Sequence, residues 1–177
     1  MAVHVALLRA IGPGTHEKMS MADLRAGCEA AGLADVATVG NTGNVILRSD
    51  KSTAGVRKAV QAVVDGFGLG PSCEVFVQTP RQMMMVVWAN PIPQAAMDHP
   101  SYVGVCSFHR TPDWERLASY TGSMPWATSG AHLIRDAGDG TGIGRFDVER
   151  LLGARMTERN WRVFANLAEK AQALQKT

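Results

Sequence analysis

The order of the apolar segments in the first eighty residues constrains the fold more than any other feature of the sequence. Short apolar runs predict four strands, at residues 3–8, 36–39, 44–48 and 75–77. Apolar residues at helical spacing predict one helix over 21–31 and a second that begins near Ser52 or Thr53 and ends within 66–68. The resulting order, β-α-β-β-α-β, is typical of the split βαβ, or ferredoxin-like, fold. It predicts an architecture but no function, because this fold serves many unrelated functions.

Local signals at turns and helix ends support this order. Asp23 follows Ser20 by three residues, which is the spacing of a capping box at a helix start. Gly32 stands where a helix C-terminus favours glycine, and Gly43 provides the positive φ that a tight hairpin needs. The first strand has apolar residues at both odd and even positions, so we expect both faces of its antiparallel sheet to be buried.

The remaining residues predict a second lobe with mixed structure. The pattern predicts strands over 102–108 and 131–135, and helices from Pro80, over 111–120, over 146–152 and over 160–174. We therefore predict an α+β protein with a ferredoxin-like subdomain at 1–79 and a second α/β subdomain at 80–177. The second lobe could be a degraded copy of the first, although the amino-acid sequences of the two halves show no clear repeat.

Composition excludes several classes of protein. The net charge of +2 gives no strong field for nucleic acid or membrane surfaces. No apolar stretch approaches the roughly 18 residues of a membrane span, and no secretory signal is recognised at the N-terminus. Cys28, Cys73 and Cys106 are odd in number and lack metal-site spacing, which favours reduced thiols, no bound metal and a cytoplasmic location.

Five short motifs occur in a fixed order along the chain. They are Val-Ala-Leu-Leu-Arg at 5–9, Lys18 with Met-Ala-Asp-Leu-Arg at 21–25, Gly-Asn-Val at 43–45, Asn-Pro at 90–91 and Thr-Glu-Arg-Asn-Trp at 157–161. With these motifs the chain resembles the bacterial domain-of-unknown-function family 1697. The resemblance implies two ferredoxin-like subdomains and brings no established activity. The chain departs from the family pattern at 10–14, where it reads Ala-Ile-Gly-Pro-Gly.

The candidate ligand site rests on residues 157–161. A helix that starts there would direct free N–H groups and the positive end of its dipole outward, which is a geometry that binds anions. Adding the other motif residues, we predict a ligand-binding site formed by Arg9, Gly43, Asn44, Arg159 and Asn160. Its ligand would be a small molecule that carries a phosphate or a carboxylate. In the competing interpretation, Arg9 and Arg159 are structural residues held by carboxylates or carbonyls.

The sequence favours a binding or regulatory protein over an enzyme. An enzyme that uses Arg159, Asn160 and His16 is the alternative, and a structural interaction module without a ligand is a third; no catalytic residue can be named. The strands lack the stacking aromatics of an RNA-binding sheet, which disfavours nucleic acid. The glycines at 138, 140, 142 and 144 lack the dinucleotide spacing, and no histidine pair has the spacing of metal ligands, so we predict no cofactor and no metal.

Overall fold

The computed structural model describes residues 1–138 and 146–177, which form two compact units. The first unit comprises Met1–Arg81 together with Leu167–Thr177, and the second comprises Gln82–Asn166. The two subdomains predicted from the sequence, 1–79 and 80–177, differ from these units in the C-terminal residues, which the structure places with the first unit.

The first unit is built on a four-stranded antiparallel sheet. Its elements are β1 (Ala2–Leu8), α1 (Pro13–His16), α2 (Met21–Ala30), β2 (Ala34–Thr38), β3 (Asn44–Ser49), α3 (Thr53–Gly66) and β4 (Val75–Gln78). The strand order is β2-β3-β1-β4, and every pair of neighbours is antiparallel. This is the split βαβ order, so the predicted ferredoxin-like unit is confirmed.

Both predicted ends of α2 are present. The Ser20 hydroxyl accepts from the N–H of Asp23 at 3.1 Å, and the Asp23 carboxylate accepts from the N–H of Ser20 at 2.9 Å. The two bonds satisfy two donors that a helix start leaves open. At the other end Gly32 has φ +79, and the N–H of Leu33 donates to the carbonyl of Cys28 at 3.1 Å. This is the hydrogen bond of a Schellman ending.

Helices α2 and α3 cover one face of the first sheet with an apolar core. Leu24 and Cys28 of α2 join the α3 valines and alternate residues of all four strands in one buried cluster. The opposite face of β1 is buried as well, because Val3, Val5 and Leu7 are at most 3 % exposed. The prediction of a sheet with two buried faces is therefore confirmed.

The second unit repeats the strand order with shorter crossover helices between its strands. Its elements, with two helices that continue into the first unit, are α4 (Pro80–Ala89), α5 (Pro93–Asp98), β5 (Val103–Phe108), a 3₁₀ helix (Trp114–Ser119), β6 (Trp126–Ser129), β7 (His132–Asp136), α6 (Val148–Leu152), β8 (Met156–Asn160) and α7 (Trp161–Gln175). The sheet order is β6-β7-β5-β8, again antiparallel throughout. Strand for strand this matches the first sheet, so the chain contains two α/β lobes with one topology.

Two predictions about the second unit were wrong. The site prediction assumed a helix start within 157–161, but residues 157–160 lie in strand β8, whose backbone pairs with β5; α7 begins at Trp161, in agreement with the helix predicted over 160–174. The cap of α7 is Asn160, whose Oδ1 accepts from the N–H of Val163 at 2.9 Å. The helix expected over 111–120 is a six-residue 3₁₀ helix capped by Asp113. Strand β6 was not predicted at all. Pairing with neighbouring strands decides such short polar segments, and local propensity does not.

Three further features bear on the class of protein. Cys28, Cys73 and Cys106 are buried and not joined to one another; burial raises the pKa of Cys28 to about 11 and that of the other two thiols above the ordinary value. Within the described parts of the chain, none of the helices has both the length and the apolar composition needed to cross a bilayer. Residues 1–138 and 146–177 also contain no group of three or more metal-ligating side chains.

Candidate functional site

Two arginines of the second sheet lie on opposite faces, Arg135 on the inner strand β7 and Arg159 on the edge strand β8. Arg135 of β7 is opposite Gly104 of β5, and Arg159 of β8 is opposite Val105. Because successive residues of a strand point to alternate faces, the two guanidinium groups project from different sides of the sheet. Both side chains are buried, at 4 % and 9 % exposure, and a buried charge is costly without compensating interactions.

The carboxylate of Glu158 compensates the buried charge of Arg135. Its Nε and Nη2 donate to Oε1 and Oε2 of Glu158 at 2.9 and 2.6 Å, and its Nη1 donates to the carbonyl of Phe146 at 2.8 Å. Burial alone would lower the pKa of Arg135, but the hydrogen bonds and charge of Glu158 outweigh it and raise that pKa. Gly104 leaves room for this pair, because a Cβ there would collide with the Glu158 carboxylate. Arg135 is therefore structural.

Arg159 is held in a different way. Its Nη1 donates to Oγ1 of Thr157 at 3.0 Å and to the carbonyl of Glu158 at 2.8 Å. Burial lowers the pKa of Arg159 to about 10, so the group stays charged at neutral pH in surroundings that stabilise the charge less well than water does. Of the two guanidinium groups, this is the one whose pKa burial lowers.

A row of polar residues crosses the sheet on the face that carries Arg159. The ladder register places Ser129, His132, Ser107 and Thr157 side by side on the four strands, and Arg159 is two residues beyond Thr157 on the same face. Ser107, His132 and Thr157 are at most 3 % exposed. Among the described residues, Oγ of Ser107 and Nε2 of His132 have no hydrogen-bond partner. Buried polar atoms without a partner are rare and call for an explanation.

The hydrogen bond of its other ring nitrogen sets the chemical state of His132. Nδ1 is 3.3 Å from the carbonyl of Ser129, and since a carbonyl only accepts, Nδ1 carries the proton. Burial lowers the pKa of His132 to about 4, although the Ser129 carbonyl opposes the shift. At neutral pH the ring is therefore neutral, and Nε2 is a hydrogen-bond acceptor.

The predicted site residues of the first unit have structural roles. Gly43 has φ +71 and its carbonyl accepts from the N–H of Leu8 at 2.8 Å. The Asn44 side chain is buried, and its Nδ2 donates to the carbonyl of Val39 at 2.9 Å and to Oγ1 of Thr42 at 3.0 Å. These bonds fix the turn between β2 and β3, and a ligand role for the two residues stays a prediction.

The five predicted site residues fall in two groups. Arg9, half-buried, donates from Nη1 to the carbonyl of Ser72 at 3.4 Å and lies in the first unit with Gly43 and Asn44. Arg159 and Asn160 are consecutive at the end of β8, in the second unit. Their assembly into one site stays a prediction. The glycine run reaches into 139–145, outside the described residues.

The sequence analysis did not recognise the polar row. It assigns no role to His132 or Ser107. The sequence offers no clear signal for it, since residues 105–107 read Val-Cys-Ser and residues 157–159 read Thr-Glu-Arg, without polar alternation. The row becomes visible only when the register is known, because the register places the polar positions on one face.

Comparison with known proteins gives a family and a fold. The profile of a family described as "Protein of unknown function (DUF1697)" matches residues 1–125. No functionally curated protein matches the chain. Among solved structures, the chain is similar to conserved bacterial protein SP0830 from Streptococcus pneumoniae, with a TM-score of 0.73, 14 % identity, and coverage of 97 % of this chain and 99 % of that one. At this identity the similarity concerns the fold alone.

Proposed function

The chain belongs to the DUF1697 family, and we propose that it is a binding protein for a small anionic ligand, which Arg159 recognises. The ligand class is a molecule with a phosphate or carboxylate group. The observation that carries the proposal is the burial of the Arg159 guanidinium, which lowers its pKa to about 10. An anion beside this group would replace the stabilisation that water gives to an exposed arginine.

The surroundings of Arg159 support this choice. A guanidinium presents a planar fork of donors that matches carboxylate and phosphate oxygens. Thr157 holds one of its nitrogens, so less side-chain freedom is lost when an anion binds. Asn160, the next residue, caps the fifteen-residue helix α7, whose dipole adds positive potential near the start of the helix. Arg135, on the other face, is paired with Glu158.

An enzyme is the second candidate function, and one observation favours it. His132 is a titratable residue with a strongly shifted pKa, about 4, and such residues cluster at active sites. With that pKa, however, Nε2 is a weak base at neutral pH, where general bases work best with a pKa near 7. We therefore rank a binding function above an enzymatic one. We propose the cytoplasm as its location, since three buried, unbonded thiols suit a reducing compartment.

Thermal unfolding in the presence of inorganic phosphate tests the proposal. If phosphate binds the native protein alone, a concentration near one hundred times Kd adds about 2.7 kcal/mol of stability, and this raises Tm by roughly 5–10 °C for a chain of this size. We expect Arg159→Gln to lose this increase. Sodium chloride at matched ionic strength serves as the reference for general salt effects.

Arg162→Gln is the matched control. Arg162 is exposed in the first turn of α7, and its loss changes the net charge by the same amount three residues away. This variant should keep the phosphate response of the unmodified protein. An equal phosphate-dependent rise in Tm for Arg159→Gln and the unmodified protein would sink the proposal. So would an Arg159→Gln variant whose only change is a loss of stability by about 2–4 kcal/mol with no phosphate response in either protein.

A further inference from the structure

A cavity of about 180 Å³ opens on the second unit beside the β6–β7 hairpin. It is lined by Gln82 and Met85 of α4, Thr111, the hairpin residues 129–131, and His132. Gln82, Met85 and Thr111 are exposed and form its rim, whereas His132 is 2 % exposed and is the one buried residue of the lining. The cavity is larger than the roughly 150 Å³ of an engineered protein cavity that accepts benzene.

Two contacts hold the imidazole of His132, a residue of the cavity lining whose Nε2 is itself buried. Nδ1 bonds to the Ser129 carbonyl at 3.3 Å, and the ring packs edge-to-face on Phe164 with centroids 5.5 Å apart. These two contacts fix both the tautomer and the orientation of the ring. Nε2, the other nitrogen, has no hydrogen-bond partner among the described residues, and neither has Oγ of Ser107, the residue directly opposite on β5.

We propose that this cavity is a binding site for a small neutral molecule that carries a hydroxyl or amide N–H donor, with Nε2 of His132 as the acceptor. A neutral ring whose Nδ1 carries the proton can accept at Nε2 but cannot donate there, so the ligand must supply the hydrogen. The proposal is independent of the anion at Arg159, since it concerns a different residue, a different charge and a different ligand class.

The rim determines the rest of the ligand. Met85 is 52 % exposed, and its flexible thioether side chain adapts to apolar groups of varied shape. Gln82 and Thr111 add polar groups at the mouth. The geometry therefore suits a compact apolar ring or branched chain with one donor group directed inward, which is the usual composition of small-molecule sites.

A matched pair of probes tests the donor requirement. Cyclohexanol and cyclohexanone have nearly the same size, but only the alcohol can donate a hydrogen bond. With ¹⁵N-histidine-labelled protein at neutral pH, we expect cyclohexanol to shift the Nε2 resonance of His132 in a saturable way. Cyclohexanone should bind at least tenfold more weakly and leave that resonance in place.

Two histidine variants locate the effect. His132→Phe keeps an aromatic ring but removes the acceptor, and it should weaken cyclohexanol binding at least tenfold. His109→Phe changes an exposed histidine of the same unit and should leave the affinity unchanged. If His132→Phe fails to fold, the comparison of the two probes on the unmodified protein still decides the matter.

Equal affinity for the two probes would overturn the proposal, because the site would then be an apolar cavity that makes no use of Nε2. The absence of any change at the His132 resonance at saturating cyclohexanol would overturn it as well. Loss of the phosphate response in Arg159→Gln has no bearing on this result, so the two binding proposals fail separately.

Discussion

The two units of this chain share one strand order but differ in what covers their sheets. In the first unit the crossover helices α2 and α3 have 10 and 14 residues. The corresponding connections of the second unit contain a six-residue 3₁₀ helix and the five-residue α6. Short helices bury less apolar surface, and the apolar area buried is the main source of stability. The second unit must therefore obtain stability or specificity from other interactions.

The chemistry of the second sheet shows what those interactions are. Its helix-covered face combines the apolar cluster around Phe108 and Leu133 with the Arg135–Glu158 pair. Its other face carries the polar row and Arg159. The first unit also buries polar side chains, but its buried set, His4, Asn44, Ser49 and Gln78, contains no arginine, lysine or carboxylate. One topology thus supports a first unit without such buried charged groups and a second unit that buries two arginines, and both binding proposals lie in the second.

The largest expected effect comes from breaking the ion pair that distinguishes the second unit. Glu158→Ala leaves the guanidinium of Arg135 buried without its carboxylate, and we expect a loss of about 3 kcal/mol in the free energy of unfolding, measured by urea denaturation. The exposed Glu169→Ala should change it by less than about 0.5 kcal/mol. The double variant Arg135→Met with Glu158→Leu should recover most of the loss, because an apolar pair replaces the charges. A single variant as stable as the unmodified protein would mean that the two units do not differ in this respect.

The pH dependence of stability tests the burial of His132, which belongs to the polar row of the second unit. The pKa of His132 is about 4 in the folded protein, below its ordinary value of 6.5. Between these two pH values the unfolded chain therefore binds a proton at His132 that the folded protein does not bind. The contribution of His132 to the free energy of unfolding is complete above pH 6.5. It decreases as the pH falls, and about 3 kcal/mol is lost at pH 4. Burial also lowers the pKa of His4 in the first unit, opposed by the Lys51 backbone, which adds a slope of the same sign.

Urea denaturation from pH 7.5 to 4 checks this prediction. His132→Phe should flatten the pH dependence markedly, and His109→Phe should leave it as it is. NMR titration of His132 gives the pKa directly. A titration of His132 near 6.5 would show that its ring is not the source of the slope.

The sequence was sufficient for the first unit because its signals are local. The capping pair Ser20 and Asp23, the glycine ending at Gly32 and the apolar stripe of α3 each depend on residues within one element. All of them agree with the fold, as expected of segments whose local preference and tertiary role coincide. Even the burial of both faces of β1 could be predicted, from apolar residues of both parities.

The second unit could be predicted only in part, because its strands depend on their partners. Residues 156–160 read Met-Thr-Glu-Arg-Asn, with no apolar alternation, and become a strand through pairing with β5. The role of Glu158 also depends on Arg135, which is 23 positions away. Of the predicted site residues, Arg159 acquires its particular character from burial, which the sequence does not reveal. The Asn44 side chain makes hydrogen bonds that lie within six residues of the hairpin, whereas the carbonyl of Gly43 accepts from the distant N–H of Leu8.

The smallest expected effect compares corresponding hairpin glycines of the two units. Gly43 lies between β2 and β3, and Gly130 lies between β6 and β7, with φ of +71 and +56. A Cβ on Gly43 would stand 2.7 Å from Cβ of Leu8 and 2.8 Å from Cγ1 of Ile11, whereas a Cβ on Gly130 would meet nothing within 4 Å. Each alanine variant carries the strain of a left-handed backbone, about 1 kcal/mol, and Gly43→Ala adds an overpacking cost of about 1–2 kcal/mol.

We therefore expect Gly43→Ala to lower the free energy of unfolding by about 2–3 kcal/mol and Gly130→Ala by about 1 kcal/mol, both measured in urea. The difference between the two variants isolates the packing of the Gly-Asn turn against Leu8 and Ile11, because the backbone strain is common to both. It also bears on the motif that led to the predicted ligand site. If Gly43→Ala is no more destabilising than Gly130→Ala, tight packing does not explain the glycine. That result would favour a ligand-binding role for Gly43.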